Sequence, residues 1–340
     1  EKFDEFFEEV RKFYNMIARG DGVGKGVNTV TLDYLISLKH NLKTSLQMQK
    51  EKERMDKILF DIEYGNLFFA TSSSAYFKIP MFDRSIIKAW LPVRPDMIGQ
   101  KNNYDISKKN DEMRVISVDI SMRKGASNDN TIISCARLFP TSKGWKTDVV
   151  YMESMNGKNA VSQALRIKQI FEQFKSDYLV LDVQSAGLPV FDVLSSVTTD
   201  AEFGKDYPAY TVMNHTSIDK SLYDDMSART LGQNAIPCVY PIMGSPQLNS
   251  AIAIRFRDRM KRKLVSFLVD EARVEEFFVK TGNKDIFSDS DDRSYLLNPH
   301  IQMSLMVNEA IGLEMSLVSG NVKLQEASGA RKDRYSSTSY

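Results

Sequence analysis

The chain has 340 residues, 42% of them apolar, with 45 Lys and Arg against 44 Asp and Glu. That length suits two domains and the apolar share can bury a core, which excludes disorder as the starting assumption. The balanced charge excludes nucleic-acid affinity from net charge alone and leaves local clustering of basic residues as its source.

No apolar run approaches the ~20 residues that span a bilayer, and no basic-then-apolar leader opens the chain, so a soluble, intracellular protein with no membrane partner is expected. Cys135 and Cys238 are too few for a disulfide framework and lie in no Cys/His pattern for zinc, which suits a reducing cytoplasm. The chain opens on Glu1 rather than Met and stops at Tyr340 inside what reads as a helix, so a fragment of a longer protein is expected.

Residues 1–105 read as a mainly helical region, as in Lys2 to Ile17 and Leu38 to Ile62, interrupted by a Gly-rich loop from Gly20 to Gly26. From Arg114 the texture changes. Three β-branched, apolar stretches, from Arg114, from Thr131 to Phe139 and from Lys146 to Glu153, are separated by Gly/Ser/Asn/Asp segments and predict a three-stranded meander. Asn159 can cap a helix carrying Val161, Ala164, Leu165, Phe171 and Phe174 at helical spacing. The apolar run Tyr178–Val183 then predicts a strand buried on both faces. A helix near Gly187 to Leu194 follows. Ser245-Pro246 opens a helix running toward Lys263, and Leu264 to Val269 is strand-like. Asn298-Pro299 reads as another helix start, with Met303, Met306, Ala310, Leu313 and Leu317 along one face and Gly320 as its stop. A last short strand and helix carry Lys332-Asp333-Arg334. The boundary is set at residues 105 to 110, giving a helical region 1–105 and a second domain 106–340. Residues 195 to 245 carry no functional signal.

Three acidic residues stand out by position: Asp119 and Asp182, each near the end of a predicted strand, and Asp333 at the start of the last helix. If the first and fourth strands lie side by side, as in a meander followed by a parallel crossover, Asp119 and Asp182 project into one crevice, and a helix behind the sheet can add Asp333. Gathered carboxylates repel unless a cation neutralises them, and hard oxygen ligands select Mg²⁺ or Mn²⁺. Two such ions roughly 3.5 to 4 Å apart can activate water on one side of a phosphodiester and stabilise the leaving oxygen on the other. Against this stands the plain reading of an isolated Asp at a strand end as a turn former or cap. Asp129, in the segment Ser127–Asn130, reads either as hairpin chemistry or as an auxiliary ligand.

The runs Arg114-Val-Ile-Ser-Val-Asp-Ile-Ser with Asn128-Asp-Asn-Thr, Tyr178-Leu-Val-Leu-Asp-Val-Gln-Ser-Ala-Gly, and Arg331-Lys-Asp-Arg-Tyr-Ser-Ser resemble the nuclease domain of tailed-phage large terminase subunits. The stretch from Lys57 to Ala70 looks like the segment after that family's packaging ATPase core. The resemblance implies an α/β fold with an RNase H-like mixed central sheet flanked by helices, with residues 1–105 as the tail of an upstream ATPase plus a linker. It implies Asp119, Asp182 and Asp333 as catalytic metal ligands of an endonuclease that cuts concatemeric double-stranded DNA by two-metal hydrolysis. It also implies the small terminase subunit and the portal protein as partners, and the host bacterial cytoplasm as location. Gly20 to Gly26 departs from the phosphate-loop spacing GxxxxGK[ST], so no ATP hydrolysis by this chain is expected.

Arg331, Lys332 and Arg334 flank a proposed ligand and are the expected DNA contacts. The basic run Arg255 to Lys263 is either a DNA-tracking surface or the solvated side of an amphipathic helix, since Leu248, Ile252, Phe256 and Met260 recur every four residues. His40, His215 and His300 belong to no triad pattern. Two other functions remain open: an RNase H-like transposase, integrase or resolvase, and a non-catalytic docking module of the packaging machine.

Overall fold

The computed structural model describes residues 34–54, 64, 75–100, 102–121, 130–213, 220–281, 290–326 and 331–340. The helix expected over Lys2 to Ile17, the loop Gly20 to Gly26, almost all of Lys57 to Ala70, and Asp129 lie outside them. The chain divides into two compact units, residues 1–72 and 73–340.

In the first unit, α1 (Tyr34–Lys39) is followed by α2 (Ser45–Arg54). Thr44 and Gln47 hold the start of α2 reciprocally, Gln47 N donating to Thr44 Oγ1 at 3.2 Å and Thr44 N to Gln47 Oε1 at 2.9 Å. Two amides that the helix itself leaves unpaired are thereby satisfied.

The second unit contains, in chain order, β1 (Asp83–Ile86), β2 (Met113–Asp119), β3 (Thr131–Thr141), β4 (Gly144–Met155), α3 (Ala160–Gln173), β5 (Tyr178–Asp182) and α4 (Gly187–Leu194). Then come β6 (Thr198–Asp200), β7 (Lys205–Tyr207), β8 (Tyr210–Val212), α5 (Lys220–Ala228), β9 (Ile236–Ile242), α6 (Pro246–Lys261) and β10 (Val265–Leu268). The unit ends with α7 (Glu271–Lys280), α8 (Ser290–Ile311), β11 (Glu314–Val318), β12 (Asn321–Gln325) and α9 (Asp333–Ser339). Residues 73–105 belong to this unit, because β1 forms an edge of its sheet.

Among the described residues the main sheet has eight strands in the order β1-β10-β4-β3-β2-β5-β9-β8. The meander β2, β3, β4 is antiparallel, while β1, β10 and β4 on one side, and β2, β5, β9 and β8 on the other, run parallel. α3 covers one face, where Gln163 meets Thr131 and Arg166 meets Glu153; α4 packs beside it. α6, α8 and α9 lie on the other. This is the α/β fold with a mixed central sheet flanked by helices that the resemblance implied.

Capping chemistry read from sequence holds: Asn159 accepts from Ser162 N at 2.9 Å and Ser245 from Leu248 N at 3.1 Å. Three expectations need correction. β5 alternates buried and half-buried residues rather than being buried on both faces, because α9 rests on β2 and β3 and only its end reaches Asp182. Pro299 lies inside α8, not at its start. The missing N–H costs a helical bond, but Tyr295 Oη donates to Pro92 O and His300 Nδ1 meets Val269 O at 2.9 Å, so tertiary anchors on both sides carry the helix through. Finally, α8 ends at Ile311 beside Gly312, and Gly320 turns a β11–β12 hairpin instead. Ser319 and Gly320 take φ of 48° and 80°, the paired positive values that a two-residue hairpin loop requires.

Candidate active site

Asp119 and Asp182 close the C-terminal ends of β2 and β5. Val118 pairs with Leu181 in parallel register, so the two aspartates, one step further on each strand, stand side by side about 4.8 Å apart in the backbone. They share the face on which α9 lies, because Ser117 and Ser134 on that face bond Ser337.

The local geometry at β5 is held by the residues that follow it. Asp182 Oδ1 accepts from Gln184 N at 2.9 Å, and the Gln184 amide donates onward to Gly244 O at 3.1 Å, joining the turns after β5 and β9. Gly187 then starts α4 against the strand end. A β-carbon there would lie 1.8 Å from the Asp182 carbonyl oxygen, so glycine is the residue the turn admits.

α9 is a short helix in a Ser/Thr-rich segment of weak helix propensity, and tertiary contacts hold it. Glu309 on α8 accepts from Arg334 N at 2.8 Å and Tyr335 N at 3.2 Å, satisfying two amides of the first turn. Tyr335 packs on Phe77 and Phe256, with ring centroids 5.3 and 5.9 Å away. Ser337 donates to Ser117 O at 3.0 Å and Ile132 O at 3.2 Å across two strands. Asp333, Ser337 and Tyr340 follow at i, i+4 and i+7, one face of the helix.

At the two ends of that face sit the polar groups of the site. Asp333 is buried and its Oδ2 accepts from Asn130 N at 2.9 Å. The Tyr340 hydroxyl donates to Asp182 Oδ2 at 3.3 Å. Burial holds the Asp182 carboxyl above its ordinary range, against the hydrogen bonds from Gln184 N and Tyr340. Burial raises the Tyr340 phenol far more, helped by the charges of Asp119 and Asp182 together. Both carboxylates therefore face one phenol.

The structure brings Asp119 and Asp182 together and sets Asp333 at the far end of a helix laid over the same strands. Among the described residues no three His, Cys, Asp or Glu side chains converge closely enough to hold an ion in this conformation. The donor set itself is all carboxylate oxygen, the chemistry that suits Mg²⁺ and Mn²⁺, and Asp119 and Asp182 fit as an adjoining pair of ligands.

The three basic residues around Asp333 part company. Lys332 is half-buried and bonds Glu326 at 3.0 Å, and Arg331 is half-buried too. Arg334, expected against DNA, is 3% exposed; its guanidinium bonds Glu309 at 2.6 Å and Gln302 at 2.9 Å. Its charge is engaged by protein partners, so it anchors α9 to α8. The sequence assigns no role to Tyr340, nor to Gln184 and Gly187 beyond their place in the run from Tyr178 and the helix start. The i, i+4, i+7 spacing from Asp333 was the available signal for Tyr340.

Fold and carboxylates together define an α/β protein with a mixed eight-stranded sheet and paired aspartates at neighbouring strand ends. Solved structures similar to the chain include the large terminase nuclease from thermophilic phage G20c with bound magnesium, at 12% identity and TM-score 0.42, over 79% of this chain and 96% of that one. The same nuclease with bound cobalt gives 12% and 0.41 over 79% and 96%. The HK97 bacteriophage large terminase gives 10% and 0.37 over 93% of this chain, which spans 54% of that larger one. No family model and no curated protein matches the sequence.

Proposed function

We propose that the chain is a metal-dependent DNA endonuclease that cuts concatemeric double-stranded DNA during viral genome packaging. The observation that carries this is the in-register pair Asp119 and Asp182, with Asp333 opening a helix laid across the same strands. Asp119, Asp182 and Asp333 are the metal ligands, Asp333 on release from the Asn130 amide. The ions, Mg²⁺ or Mn²⁺, supply Lewis acidity and a water acidic enough to act at neutral pH.

The protein's part is positional. β2 and β5 fix the two carboxylates at adjacent heights. α9, tied down by Glu309, Tyr335 and Ser337, keeps Asp333 from drifting. Arg331 and Lys332 at its start are the phosphate contacts, and Arg334 supports them from within. The reading includes no ATP hydrolysis by this chain. It sets the protein in the host bacterial cytoplasm with the small terminase subunit and the portal as partners.

The test is supercoiled plasmid incubated with the folded chain in Mg²⁺, Mn²⁺ or EDTA, beside Asp182→Asn. Cutting should require the metal and fall by about 1,000-fold in the variant, the loss of several kcal/mol of transition-state stabilisation. Equal cutting by both proteins, or cutting in EDTA, overturns it.

A further inference from the structure

The basic run Arg255 to Lys263 plays no part in the site above, and the fold puts it elsewhere. α6 ends where β10 begins, and β10 is parallel to β4, so the C-terminus of α6 lies at the β3–β4 hairpin tip. The carboxylate end is at Asp119, Ile132 and Ser154, the opposite end of the same strands. From Gly144 to Ser154 the strand spans about 33 Å at ~3.3 Å per residue.

The tip adds Lys143 and Lys146 to the cations of α6, beside Trp145, which is 41% exposed. Arg255, Arg259 and Arg262 recur at i, i+4 and i+7, so they share one face of α6. What holds the group together is neutral. Arg259 donates to Trp145 O at 2.8 Å and Thr147 Oγ1 at 2.7 Å, Arg262 to Lys143 O at 2.9 Å, and Lys263 to Pro80 O at 2.7 Å. Among the described residues the carboxylates paired with it are Asp258, 3.5 Å from Arg262, and Asp148, 3.4 Å from Lys146. Eight cations, Lys143, Lys146 and the six of the run Arg255 to Lys263, thus meet two paired carboxylates. Burial, then repulsion from Arg262, makes Arg259 easier to deprotonate than an ordinary arginine.

A helix C-terminus attracts cations, which accounts for Arg259 and Lys261 in the last turn. It gives no reason for Lys143 and Lys146 on the hairpin, nor for guanidiniums fixed by carbonyls with their charge left over. A duplex carries one negative charge per ~1.7 Å of axis and rewards such fixed, uncompensated cations by counterion release. The separation of about 33 Å is also close to one turn of B-DNA, ~34–36 Å.

We propose that this far end of the sheet is a second contact surface for the phosphate backbone of duplex DNA, about one helical turn from the cutting site. The inference rests on the DNA endonuclease reading. Exposed cations hold the duplex in register along the strands while the carboxylates act at the other end.

The experiment uses the whole chain and a fluorescent duplex of about 40 base pairs, several helical turns. Affinity is read by anisotropy across a salt series for the parent and for Lys143→Gln/Arg255→Gln/Arg262→Gln. The triple variant should bind about 10-fold or more weakly at low salt, with the slope of log affinity against log salt smaller by about 2 to 3. If the triple variant fails to fold, Lys143→Gln and Arg255→Gln taken singly should each lower the slope by about 0.9.

Unchanged affinity and slope in a folded variant overturn the proposal, as does a parent that does not bind the duplex at low salt. Loss of polyglutamate binding with DNA binding unaltered also overturns it, in favour of an acidic protein partner. Plasmid cutting measured in parallel separates the two readings. Variant-sensitive DNA binding without metal-dependent cutting removes the nuclease reading alone, whereas cutting with variant-insensitive binding removes only the second surface.

Discussion

Two carboxylates bracket β2 and live in opposite environments. Glu112, just before the strand, is buried with Arg114 at 2.7 Å and Arg137 at 2.7 Å. Burial pushes its carboxyl up, but hydrogen bonds from Arg137, the Lys109 amide and Arg114 overcome this and hold it at about 2. At the other end Asp119 stands beside Asp182, whose hydrogen bonds come from the neutral Gln184 amide and Tyr340 hydroxyl, and whose carboxyl rises. Glu153 repeats the first pattern, lowered by Arg166 against its burial. Glu112 and Glu153 each come with an arginine. Among the described residues the groups that bond Asp182 are the neutral Gln184 amide and Tyr340 hydroxyl, and in the proposed reading a cation from solution compensates it.

The comparison predicts unequal costs. Glu112→Gln strands the Arg114 guanidinium, which is fully buried, and should lower stability by about 3 to 5 kcal/mol in denaturant titrations. A loss under about 1 kcal/mol would show that Glu112 is not holding that end.

Acid should attack in two windows. His300 is buried, and burial holds its imidazole down at about 4 against the Val269 carbonyl. The unfolded chain, with an ordinary imidazole near 6.5, binds that proton more readily. Stability therefore falls as pH drops from about 6.5 to about 4, then falls further from about 4.5 to about 2 as Glu112 protonates. Each step is worth up to about 3 kcal/mol. Urea midpoints across pH should show both, and Glu112→Gln should shrink the lower one to the share that Glu153 keeps.

Gly187→Ala drives a methyl into the Asp182 carbonyl and should cost about 1 to 3 kcal/mol while weakening metal-dependent cutting. Full activity with unaltered stability would mean that the turn after β5 shifts freely. The smallest effect belongs to Asp182→Asn. With no arginine to strand, it should change metal-free stability by less than about 1 kcal/mol, although in the proposed reading it slows cutting about 1,000-fold. A loss as large as that of Glu112→Gln would erase the distinction between the two ends.

Much of the fold was legible because its signals are local. The meander, the caps at Asn159 and Ser245 and the span of α4 follow from alternation, cap chemistry and turn residues within a few positions. Where local signals competed with distant contacts they misled. Asn298-Pro299 has the form of a helix start, yet Tyr295 and His300 bind groups far away in sequence and continue α8 through it. Gly320 has the form of a helix stop, yet Gly312 ends the helix first and Gly320 turns the hairpin.

The sequence by itself determined which residue types stand at the strand ends: Asp119, Asp182 and Asp333 are visible because each follows or opens a periodic element. Only the tertiary structure decided how they are used. The parallel register that sets Asp119 beside Asp182, the hydroxyl that reaches Asp182 from 158 residues away, and the Glu309 carboxylate that takes Arg334 into the interior have no local signature. Backbone geometry couples a residue to neighbours a few positions off. Charge compensation and burial depend on whatever the fold brings near, which the order of residues along the chain does not encode at short range.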